Sequence, residues 1–145
     1  MALDKQNEFS NAQAVTTTAA STNIIDLGAN NNLGIGIAMA VVIHIQVAAD
    51  MTTGDETYRF DIETDSASAF SSPTLILSKA VVGGSLGVGA RVVVPVPPDK
   101  SMEQFIGLRY TTGGTSPSIT IKSAYLIPQS ALQNDAYYPS GYTVV

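Results

Sequence analysis

Leu33-Gly34-Ile35-Gly36-Ile37-Ala38-Met39-Ala40-Val41-Val42-Ile43-His44-Ile45-Gln46-Val47-Ala48-Ala49 is the longest apolar run of the chain, and its periodicity decides the fold. By length alone, seventeen residues make a marginal membrane span. The order within the run excludes that reading. Ile35, Ile37, Met39, Val41, Ile43, Ile45 and Val47 occupy every odd position, while Gly36, Ala38, Ala40, Val42, His44, Gln46 and Ala48 alternate with them. Period two places bulky side chains on one face and small or polar ones on the other, the pattern of a β-strand with one face in a core. The run therefore predicts one long strand over 33–49 of a soluble protein, with no membrane partner.

Outward from this strand the same grammar repeats, with no helical stretch. Short β-rich runs at 14–18 and 23–27 precede it, and 58–63, 74–78, 91–94, 104–111 and 118–127 follow. Turn-forming clusters separate them: Gly28 with Asn30–Asn32, Asp50–Glu56, Gly83–Gly89, Pro95–Pro98 and Gly113–Pro117. Eight strands without crossover helices predict an all-β fold, an eight-stranded antiparallel β-sandwich of jelly-roll type. An immunoglobulin-like sandwich is the alternative, although its Cys…Trp…Cys hallmark is missing. At 145 residues there is room for one domain. Its core spans about 13–127, with an extended N-terminal arm over 1–12 and a C-terminal tail over 128–145. The start, Met1-Ala2-Leu3-Asp4-Lys5-Gln6, is polar and unlike a secretory signal.

Composition narrows the function. Charged residues make up 13% of the chain, and seven basic against twelve acidic side chains leave a net charge of −5. A nucleic-acid partner needs a basic footprint, which this balance lacks. Cysteine and tryptophan are absent and His44 is the single histidine. Thiol chemistry, disulfides and cysteine-ligated zinc are excluded, and a multi-histidine metal site cannot be assembled. His44 reads as a hydrogen-bonded sheet histidine. No Gly-x-Ser-x-Gly elbow accompanies it for a serine triad.

The remaining motifs read as structure. Gly34-Ile35-Gly36 opens like a dinucleotide fingerprint, but Met39 occupies the position of the third glycine. The Gly83–Gly89 loop lacks the Lys-Ser/Thr ending of a phosphate loop. Asp61, Glu63 and Asp65 alternate on one face of the fourth strand, and Asp50, Asp55 and Glu56 gather in the loop before it. Neither set has calcium-loop spacing, and acids alternating on a half-exposed strand are expected to be solvated. No catalytic residue, metal ligand or cofactor is predicted, and the chain reads as a non-enzyme. The candidate partner-binding residues are Phe9, as an anchor in the N-terminal arm, with Tyr137, Tyr138 and Tyr142 in the tail. Aromatic side chains of this kind are enriched where a surface meets a partner.

Several stretches resemble a known family. Phe9-Ser10-Asn11-Ala12-Gln13-Ala14-Val15-Thr16, followed by Ala20-Ser21-Thr22-Asn23-Ile24-Ile25-Asp26-Leu27-Gly28, is similar to the opening of the jelly-roll capsid cement (decoration) proteins of tailed bacteriophages, of the Bordetella short-tailed phage type. Phe70-Ser71-Ser72-Pro73-Thr74-Leu75-Ile76-Leu77-Ser78, Arg91-Val92-Val93-Val94-Pro95 and Phe105-Ile106-Gly107-Leu108-Arg109-Tyr110-Thr111-Thr112-Gly113-Gly114-Thr115 extend the likeness over most of 9–127. The resemblance implies a non-enzymatic virion protein, made in the host cytoplasm and carried on the outer surface of the capsid. It implies a homodimer that ties neighbouring major capsid proteins together. The competing expectation is a carbohydrate-binding sandwich on the virion, disfavoured by an aromatic content of 7% without Trp.

Overall fold

The computed structural model describes residues 5–30, 33 and 35–132. After a 3-10 turn over Lys5–Asn7, nine strands follow: β1 (Glu8–Val15), β2 (Ala19–Ala20), β3 (Ile25–Asp26), β4 (Met39–Val47), β5 (Thr57–Asp65), β6 (Thr74–Val81), β7 (Arg91–Pro95), β8 (Phe105–Gly113) and β9 (Ile119–Pro128). Sheet I has the order β1-β9-β4-β7. Sheet II has the order β2-β8-β5-β6, with β3 also paired to β8. Every pairing is antiparallel. Because β2 and β3 share one lane beside β8, nine strands fill the eight lanes of a jelly-roll sandwich.

That shared lane breaks for a local chemical reason. The Ser21 amide donates to the Leu108 carbonyl at 2.8 Å, and the Ser21 hydroxyl accepts the Leu108 N–H at 3.1 Å. The side chain thus replaces a strand carbonyl, and the next residues bulge toward sheet I. There the Asn23 amide donates to the Phe9 carbonyl at 2.9 Å. Gln13 of β1 completes the latch, donating from Nε2 to the Ala20 carbonyl at 2.8 Å and accepting Thr22 N–H at 3.0 Å. Hydrogen bonds between the two sheets thereby close this side of the sandwich.

The core lies between the sheets. Val41, Ile43 and Ile45 of β4 face Phe60 and Ile62 of β5 and Ile106, Leu108 and Tyr110 of β8, with Leu86 and Met102 contributed by loops. Tyr110 packs edge-on against Phe60 with centroids 6.0 Å apart, and its buried hydroxyl meets Ser10 Oγ at 2.7 Å. Burial pushes that phenol's pKa well up, so it stays neutral and available for the hydrogen bond.

The expected strand over 33–49 is realised as the nine residues of β4. Its first part turns away at Gly36, whose φ of 85° suits glycine, and leaves Ile35 and Ile37 exposed at 66% and 65%. The sandwich also begins earlier than the expected core at 13. β1 starts at Glu8, so residues 8–12 belong to sheet I and are no free arm. Phe9 is fully buried within the core cluster. This corrects its reading as an arm anchor: its ring is spent on the fold, where deleting such a side chain costs about 3–5 kcal/mol.

Candidate functional site

The acidic strand face is the first place where structure and expectation part. Tyr58, Phe60 and Ile62 point into the core as their alternation requires, but Asp61, Glu63 and Asp65 on the other face are buried too. The register explains this. Asp61 lies opposite Arg109 and Glu63 opposite Gly107. A Cβ at Gly107 would stand 2.7 Å from Ile24 Cδ1 and 2.9 Å from Phe70 Cζ, so the bare glycine admits both apolar side chains onto the outer face beside the acids. Arg109 Nε bonds both Glu63 carboxylate oxygens at 2.9 Å. Thr111 Oγ1 donates to Asp61 Oδ2 at 2.8 Å, and Arg59 Nε stands 3.0 Å from Asp61 Oδ1. That Oδ1 has no well-directed hydrogen bond; the ion pair alone compensates its burial.

The loop acids build turns. Asp50 accepts the Thr52 N–H at 2.9 Å, Asp55 accepts the Thr115 N–H at 3.0 Å and its hydroxyl at 2.9 Å, and Glu56 accepts the Gly54 N–H at 2.8 Å. Asp65 does the same for the 66–72 loop, accepting Ala67 and Ser72 amides at 3.0 and 3.1 Å. Hydrogen bonds to the charged form hold the pKa of all four below the ordinary carboxylate range. The leading donor is the Thr52 hydroxyl for Asp50, the Thr115 amide for Asp55, the Thr53 hydroxyl for Glu56 and the Ala67 amide for Asp65. Among the described residues no group of three or more His, Asp or Glu is placed to hold a metal ion.

The outer face of sheet I carries the feature that sequence reasoning missed. β9 has an extra residue, Lys122, between the pairs His44–Ser123 and Ile45–Ile121. β4 has an extra residue, Gln46, between Ile45–Ile121 and Val47–Thr120. Next to Lys122, β1 passes through Ala12 at φ 51°. On the far side Ile45 bonds to Gly89 and Ala90, at 2.9 Å each, just before β7 begins, and Gly89 has φ 77°. All four lanes are thus irregular along one line that crosses the sheet. Bulges increase local twist and re-aim side chains, and here they open a depression of about 480 Å³ lined by Asn11, Ala12, Gln46, Val88, Gly89 and Lys122 among others. A trace of this was visible in the sequence. Ile119 and Ile121 are odd-numbered core residues, whereas Ala124 and Leu126 are even-numbered, and such a change of parity requires an inserted residue.

Of the predicted partner-binding residues, Phe9 is buried in the core, and Tyr137, Tyr138 and Tyr142 lie outside the described residues. Among the described residues no helix is long and apolar enough to cross a membrane.

Strand order and lane count define a jelly-roll sandwich. Residues 9–122 match the Bbp16 family, and the chain belongs to that family. The family's name is related to Bordetella phage, which is consistent with a phage protein. No curated protein matches the sequence.

Proposed function

We propose that this chain is a capsid cement protein: a non-enzymatic virion component that binds the outside of the phage head and staples neighbouring major capsid proteins. The observation that carries this reading is the family match, which runs from β1 into β9 and so spans nearly the whole sandwich. The fold supports it, since jelly rolls recur among capsid proteins. A homodimer would strengthen attachment, because engaging one capsomer makes the second contact intramolecular and raises avidity without any new chemistry. Tyr137, Tyr138 and Tyr142 are the aromatic contacts proposed for the tail.

Mass-spectrometric stoichiometry of purified virions tests the reading. The expected result is a simple ratio of this chain to the major capsid protein. A few copies per particle, or none, would remove the cement assignment in favour of a tail, adhesin or glycan-binding role.

A further inference from the structure

The carboxylates of this acidic protein are unevenly placed between the two sheets. Among the described residues, the strands of sheet I carry His44, Arg91 and Lys122 against a single carboxylate, Glu8. Glu8 is buried and accepts the Tyr125 hydroxyl at 2.6 Å. The strands of sheet II instead carry Asp26, Asp61, Glu63 and Asp65 beside Arg59, Lys79 and Arg109.

Arg91, Lys122 and His44 of sheet I also share a face. Ile43 and Ile45 flank His44, Val92 follows Arg91, and Ala124 follows Ser123, all in the core cluster. The alternating residues between them therefore face outward. In register, Asn11 pairs with Ser123, Ser123 with His44, and His44 with Arg91, so these four stand abreast across the sheet. The crease with Lys122 and Gln46 is the adjoining row. Lys122 is exposed and makes no hydrogen bond or ion pair among the described residues.

We infer that the creased outer face of sheet I docks an extended acidic polypeptide segment of a partner protein. Lys122 pairs with a carboxylate of that segment, and Arg91 adds positive potential along the row. The amides of Asn11 and Gln46 each offer a donor and an acceptor, which suits a peptide backbone that presents both. Ala12 and Val88, the latter 77% exposed, supply apolar contact for side chains between the acids. Among the described residues the lining contains no aromatic ring on which a sugar would stack. That the segment belongs to the major capsid protein rests on the cement reading; the chemistry of the face does not.

The full chain, labelled with nitrogen-15, is titrated with blocked hexaglutamate, and in separate arms with maltohexaose and with a thymidine hexanucleotide. The expected result is amide shifts confined to residues 11–12, 44–47, 88–91 and 121–123. Apparent affinity should fall roughly fivefold or more when salt rises from about 20 to about 300 mM, as an exposed charge contact requires. Lys122→Glu and Lys122→Gln should each weaken binding, the reversal more, with unchanged melting temperature, whereas Lys100→Glu should leave it intact. No shifts up to about 10 mM peptide, shifts centred on β5 and β8, equal binding by Lys122→Glu, or stronger binding of the sugar or the oligonucleotide would overturn the inference. Virion stoichiometry is independent of these readouts, so failure here and failure of the cement reading are told apart.

Discussion

Asp50, Asp55, Glu56 and Asp65 act at the scale of single residues as acceptors that fix loops, and their lowered pKa values tie stability to pH. Unfolded carboxylates titrate near about 3.9–4.3. Where the folded value lies lower, the unfolded chain binds more protons, so the stabilising term is complete above that range and lost as pH falls through the folded values. The melting temperature is therefore expected to be flat above about pH 5 and to drop below about pH 4, with a shallower drop in Asp55→Asn, which removes one of the four charged acceptors. A wild-type curve flat to pH 2.5, or a variant with the same acid slope, would contradict this account. Acid positions were legible in the sequence; their burial was not. Asp61 and Glu63 alternate like a solvated strand face, and it is the cross-strand partners Arg109 and Thr111, with Ile24 and Phe70 packed over Gly107, that change their surroundings.

Strands show the same division between local and non-local information. The alternation of Val41, Ile43 and Ile45 was readable because one face of β4 meets one core. The limits of β4, the break between β2 and β3, and the inserted residues at Gln46 and Lys122 depend on partners across the sheet. Phe9 was misread because a lone aromatic among polar neighbours gives no period to count. Edge strand β6 carries its own protection. It has an extra residue at Ile76 between the pairs Ile62–Leu77 and Glu63–Leu75, and its Lys79, opposite the core residue Phe60, reaches across to the Val93 carbonyl of β7 at 2.6 Å. Bulges and inward-pointing lysines discourage a second chain from adding to an edge. Lys79→Val is expected to give concentration-dependent association, measured by analytical ultracentrifugation, while the melting temperature changes little. An association state identical to wild type would show that Lys79 does not guard this edge.

For the molecule as a whole, the proposed stapling role makes a geometric demand. A protein that spans two capsomers recognises their separation as well as their surfaces, so attachment is expected on mature, expanded shells and not on unexpanded procapsids. Sedimentation of purified protein with each particle type reads this directly, and equal occupancy on both would remove the bridging geometry. The jelly-roll class was legible from strand count and turn spacing. The docking face was not, because its residues come from β1, β4, β9 and the loop before β7 and converge only through sheet order.

That order also bears on how the protein is made. β9, the last strand among the described residues, lies between β1 and β4, which precede it by more than seventy residues. Until residues 119–128 have left the ribosome, β1 has no neighbour in its sheet and one side of β4 stays open. Synthesis at roughly 5–20 residues per second leaves those edges uncovered for seconds. The nascent chain therefore carries unpaired strand edges through most of its translation, and a stop codon before β9 leaves a product without a finished sheet.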